Sequence, residues 1–119
     1  MKTRLSQWAA TAVVAGALSV TSSAAAAGTD YTGKISHVRV DNDGRGLLYF
    51  GPVLSGASCR DPGLRNVLAF KLDTEAGRAL YHLALSQFLA GIPVRVFGTG
   101  ACTIYGPNVT EDLQRIDTQ

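Results

Sequence analysis

Cys59 and Cys102 are the residues with the most definite chemistry, two thiols able to close one disulfide. A zinc site would need further ligands, and neither cysteine has a second Cys or a His close by in sequence. Gly98-Thr99-Gly100 follows a strand-like apolar run, where a dinucleotide fingerprint would begin. That fingerprint needs a third Gly or Ala three residues on and then a helix. Position 103 is Thr, and Gly106-Pro107 interrupts any helix there. The pair of glycines is therefore read as a bend that carries Cys102 towards Cys59. Asp41-x-Asp43-x-x-Gly46 opens like a calcium loop, but Arg45 stands fifth and Pro52 stands where a bidentate Glu belongs. It is read as a turn.

The remaining polar candidates are no closer to catalysis. His37 and His82 fall on different elements, and no Ser, Cys or Asp is tied to either by a catalytic spacing. Glu111 and Asp112 are sequence neighbours whose side chains diverge on a strand, so they form no carboxylate pair. Asn108-Val109-Thr110 has the form of a glycosylation acceptor and is read as an exposed loop. No enzyme, metal site or cofactor motif is visible.

The N-terminus sets the compartment. Lys2 and Arg4 precede a mostly apolar, alanine-rich run from Leu5 to Val20, and "TSSAAAAG" follows. This is the pattern of a secretory signal over residues 1–27, cut after Ala27, with Ala24 and Ala26 as alternatives. The run is short of the ~20 apolar residues that a membrane span needs. Removing it changes the charge. Of the 11 basic residues Lys2 and Arg4 leave with the signal, while all nine acids stay, so nine face nine. A nucleic-acid partner would want a basic excess, and none remains. A secreted or periplasmic location, with no membrane attachment after cleavage, favours a Cys59–Cys102 disulfide over two thiols or a metal pair. A small domain over 28–119 buries a modest share of its surface. Closing that loop is worth roughly 4 kcal/mol in the chain-entropy picture.

Positioning these residues falls to an alternating set of elements. "YTGKISHVRVD" (Tyr31–Asp41) reads as a first strand whose alternation slips phase, the mark of a bulge. "NDGRG" turns into a second strand, Leu47–Leu54, interrupted at Gly51-Pro52. Asn66–Leu72 is a third strand. From Thr74 to Ala90 the period changes: Ala76, Leu80, Leu83, Ala84 and Phe88 recur at helical spacing, with Tyr81, Leu85 and Leu89 widening the face. Asp73 or Thr74 caps its start, and Gly91 and Pro93 stop it. Val94–Phe97 and a strand within Val109–Asp117 complete the order β-β-β-α-β-β. That order, mainly β with one helix between strands three and four, predicts an OB-fold, a small Greek-key barrel. An open α+β sheet with the helix on one face is the alternative.

"YTGKI" in the first strand and "ALYHLALSQFLAGIPVRVFG" in the helix and fourth strand resemble the B subunit of subtilase-type AB5 toxins. The match covers about half of the chain beyond the signal and is densest over 79–97. The resemblance implies a pentameric homo-oligomer that binds sialylated cell-surface glycans. It places at Thr32 the strand-one hydroxyl that holds the sugar carboxylate, and at Tyr31 the neighbouring aromatic. Beside them Gly33 allows close approach to the backbone, and Lys34 would favour a carboxylate if no bulge turns it away from Thr32. Against a sugar site, no loop is rich in the aromatic rings on which sugars stack. Two functions follow as expectations. One is a secreted, non-catalytic carbohydrate-binding module. The other is a periplasmic structural or inhibitor-like protein that meets a protein partner through the same scaffold.

Overall fold

The computed structural model describes residues 28–119 and the single residue Gly16. The signal expected over 1–27, with its cleavage site, otherwise lies outside the described residues. Six strands and one helix follow: β1 Asp30–Gly33, β2 Ile35–Val40, β3 Arg45–Phe50, β4 Val67–Lys71, α1 Glu75–Ala90, β5 Val94–Gly98 and β6 Glu111–Thr118. The single first strand expected from sequence is thus two. The chain leaves strand conformation at Lys34, and the β2–β3 register shifts between Ile35 and His37. The phase slip read in "GKISHV" is the trace of that break.

The strands form one mainly β sheet in the order β1-β5-β6-β4-β3-β2. β4 and β6 run parallel, and every other neighbouring pair is antiparallel. β1 and β2, one residue apart in sequence, occupy opposite ends of that order. Bending at Lys34 sends one half of the strand to β5 and the other to β3.

The helix forms where its signals stand. Thr74 Oγ1 accepts from Gly77 N–H at 3.0 Å, and Gly91 closes the C-terminus in the left-handed region at φ 67°. There a Cβ would be strained. Leu80, Leu83, Tyr81 and Phe88 pack against a core that includes Leu48, Phe50, Phe70 and Val96. Burying a side chain of this size contributes about 1.5–3 kcal/mol. Two positions differ from the expected apolar face. Ala76 is exposed, and Leu89 is 75% exposed, at the end of the helix.

β3 and β4 are covered on both faces, which is why "GLLYF" and "VLAF" do not alternate. Leu48 and Leu68 face the main core, while Leu47, Val67 and Ala69 form a second cluster under Leu64, Ile104 and Tyr105. β3 ends at Phe50, short of the expected Leu54. Leu54 lies in the following loop, yet is only 2% exposed. That loop is tied down by the Cys59–Cys102 disulfide, with its Cα atoms 6.0 Å apart. Among the described residues no helix is long and apolar enough to cross a membrane.

Candidate functional site

β1 lies at one end of the sheet order and turns alternate side chains to opposite faces. Tyr31 points inward, where its ring meets Phe50 edge to face at 5.6 Å. It also folds back over Gly33, and a Cβ on Gly33 would collide with that ring. Tyr31 itself therefore accounts for the glycine. Thr32 faces outward, exposed, opposite Arg95 on β5. Lys34, also exposed, is where the chain leaves strand conformation between β1 and β2. Thr32 and Lys34 are thus both exposed, whereas Tyr31 and Gly33 are half-buried, with Tyr31 packed against Phe50.

The neighbouring arginine is already engaged. Arg95 grips Asp30 through two parallel hydrogen bonds, Nε to Oδ1 at 2.9 Å and Nη2 to Oδ2 at 2.8 Å. Donation by Arg95 holds the Asp30 carboxyl below its ordinary range. Phe97 lies between Arg95 and Arg115, whose guanidinium carbons stand 4.7 and 4.0 Å from its ring centre. Arg115 in turn pairs with Asp117. Lys34 takes part in none of the ion pairs among the described residues.

A second polar surface lies across the bend, on β2 and β3. His37 stands opposite Tyr49 with ring centres 5.1 Å apart. Arg39 Nε donates to Asp41 Oδ1 at 2.8 Å, and the Tyr105 hydroxyl donates to Asp41 Oδ2 at 2.6 Å. Arg45 lies 4.3 Å over the Tyr105 ring and bonds Asp43. Both aspartates of the calcium-like pattern are thus occupied by arginines. Among the described residues no three His, Cys, Asp or Glu side chains converge as metal ligands. The rings gathered here come from β2, β3 and the loop before β6. Scanning for a single aromatic-rich loop therefore misses them. The legible signal was the outward alternation His37, Arg39, Asp41.

Glu111 and Asp112 diverge as their adjacency implies, but each anchors a loop, which adjacency did not reveal. Glu111 is fully buried. Its Oε1 accepts from Thr29 Oγ1 and Ala57 N–H, and its Oε2 from Thr29 N–H, each at 2.9 Å. Gly100 N–H adds a fourth bond to Oε2 at 3.2 Å. A Cβ on Gly98 would strike this carboxylate, so the Gly98-Thr99-Gly100 bend is shaped around Glu111. It cradles a side chain of the protein's own. Asp112 accepts from the Thr103 and Ile104 N–H groups, at 3.0 Å to Oδ1 in each case, and from the Thr103 hydroxyl. With all polar atoms partnered, neither carboxylate has the open side that a catalytic acid or base needs.

Asn108 is exposed in the loop as expected, whereas Thr110 is buried and donates to Val67 C=O at 2.9 Å. His82 sits on α1 beside Tyr81. An apolar cavity of about 340 Å³ opens between the first turns of α1 and β6, lined by Phe70, Leu80, Ile104 and Leu113. Neither Thr32 nor Lys34 borders it. Comparison of the chain with known protein families, with curated proteins and with solved structures finds no match.

Proposed function

We propose that this chain is an exported, non-catalytic binding module of OB-fold architecture whose ligand is an acidic glycan of the sialylated class. The strand order supports the fold: one bent strand supplies both ends, and the single parallel pair joins β4 to β6. Closure through the bend at Lys34 would turn that order into a five-stranded barrel. The disulfide suits an oxidising compartment, in keeping with the leader read in the sequence. The observation that supports the ligand is an exposed Thr32 hydroxyl two residues from an exposed Lys34 that enters no ion pair among the described residues. A carboxylate placed there would accept from the hydroxyl and meet the ammonium charge.

The test is a glycan array followed by calorimetry on the bound sugars. Losing one hydrogen bond to a charged ligand costs about 1.5–3 kcal/mol. Thr32→Ala should therefore weaken binding roughly ten- to a hundredfold, with the melting temperature nearly unchanged. If the unaltered protein binds no acidic glycan at millimolar concentration, the reading fails.

The protein-partner reading then takes its place, and a specific observation favours it. Leu89 and Ile92, 75% and 42% exposed, lie three residues apart in sequence, at and just past the end of α1. Such a pair suits a protein contact, either with another protein or with further copies in a ring of five. Sedimentation of the exported protein distinguishes a monomer from such an assembly.

A further inference from the structure

Glu111 is fully buried and receives three N–H groups and one hydroxyl, yet it enters none of the ion pairs among the described residues. The charged side chains on the segments around it are engaged elsewhere. Asp30 and Arg95 hold each other, Arg60 donates to the Ala57 and Arg65 carbonyls, and Asp112 accepts from Thr103 and Ile104. Cys59 and Cys102 are bonded to each other and carry no charge. Dipoles satisfy the Glu111 oxygens, but a carboxylate out of water also gains from an opposite charge.

The chain holds a nitrogen close by that can become one. Thr29 N–H donates to Glu111 Oε2 at 2.9 Å, and the backbone nitrogen before it is that of Gly28. Backbone bond lengths keep consecutive nitrogens within about 3.7 Å, so the Gly28 nitrogen lies no more than about 7 Å from that oxygen. Gly28 is half-buried against the same bend. A Cβ on it would strike the Gly98 carbonyl and crowd the Gly100 nitrogen, itself a donor to Glu111. In an uncut chain the Gly28 nitrogen is a neutral amide. Hydrolysis of the Ala27–Gly28 bond consumes one water and leaves a carboxylate on Ala27 and an ammonium on Gly28.

We propose that the α-ammonium of Gly28, created by cleavage after Ala27, is the counter-charge of Glu111, so that removing the leader itself stabilises the folded body. The proposal rests on the export reading and is independent of the ligand. The uncut chain, without that charge, is the less stable form, which suits a chain that must cross a membrane before it folds.

Three proteins that differ only at their start test this: one beginning at Gly28 with a free amine, one acetylated there, and one beginning at Ala26. Each is unfolded in urea from pH 6.5 to pH 10. At pH 6.5 the free amine at Gly28 should raise the folded-to-unfolded ratio about tenfold over both others, the equivalent of a one-unit upward shift of that amine. An amine raised by folding contributes stability that is complete below about pH 8 and lost as pH climbs through its folded value. The gap should therefore close towards pH 10, while Tyr105 titrates alike in all three and cancels. Glu111→Gln should abolish the gap, and the three unsubstituted proteins carry the test should that variant fail to fold. Equal midpoints for the three at pH 6.5, or a gap unchanged at pH 10, overturn the counter-charge. Exported protein whose intact mass places its start before Gly28 overturns the role of the cut, whatever the gap. A chain exported uncut, or not exported, overturns the export reading with it.

Discussion

Glu111 draws distant parts of the chain onto one buried carboxylate. A buried carboxyl is costly unless its oxygens are satisfied, and here four donors from three chain segments satisfy them. Glu111→Gln replaces one acceptor oxygen by an NH2 group that must face an N–H or O–H donor. Unfolding in urea should show a loss of about 1.5–3 kcal/mol, and an unchanged midpoint would refute the role given to these bonds. Tyr105 and Asp41 make a bond that responds to pH in both directions. Burial, then the bond to Asp41, raises the Tyr105 hydroxyl well above its ordinary 10.0. Donation by Tyr105, then by Arg39, lowers the Asp41 carboxyl below 3.8. A raised tyrosine contributes stability that is complete below about pH 10 and lost as pH climbs towards its folded value. A lowered aspartate contributes stability present above about pH 4 and lost as pH falls through its folded value. The stability difference between the protein and Tyr105→Phe should therefore be widest at intermediate pH and shrink at both extremes. A difference independent of pH would show that the bond does not form in solution.

Elements differ in how plainly the sequence announces them. α1 was legible to within one residue at its start, with Asp73 and Thr74 both open as caps, because its stops are local: the Thr74 cap, Gly91 at positive φ and Pro93 after it. The break in the first strand was legible as a slipped phase, but where its two halves go depends on pairing with β3 and β5, far along the chain. β3 and β4 kept part of their packing hidden. Their outer faces are covered by Ile104 and Tyr105 from the loop before β6, and no local pattern announces such a cover. For the candidate site, Thr32 and Lys34 were legible through a short motif. The grouping of His37, Tyr49, Arg39 and Tyr105 was not, since Asp41 and Tyr105 meet across 64 residues. The same limit applied to Glu111, whose partner Thr29 is 82 residues away. The loops that carry these long-range bonds are held by the Cys59–Cys102 disulfide, across a separation of 43 residues. Cys59→Ala and Cys102→Ala should each lower stability by about 2–5 kcal/mol. The two losses should be equal within error, because either change breaks the same bond. Clearly unequal losses would mean that one sulfur contributes mainly through its packing.

At the scale of the whole molecule, the start of the folded body bears on processing. Thr29 is 1% exposed, and both its N–H and its hydroxyl bond Glu111. Its carbonyl accepts from Gly98 N–H at 2.8 Å, extending the contact with β5. Asp30, the next residue, holds Arg95. A signal peptidase cutting after Ala24, Ala26 or Ala27 would leave all of these contacts in place. A cut beyond Thr29 would remove two of the donors that satisfy a buried carboxylate. The price would be several kcal/mol by the usual cost of unpaired buried groups, a large share of a small domain's stability. The exported protein should accordingly carry an intact Thr29, with its N-terminus at Gly28 or a few residues before it. Intact-mass measurement of the exported fraction reads this directly. A matching truncation supplies the energetic half of the argument: protein made to begin at Tyr31 should unfold at markedly lower urea than protein beginning at Gly28. Equal midpoints for the two would remove Thr29 from the folded body.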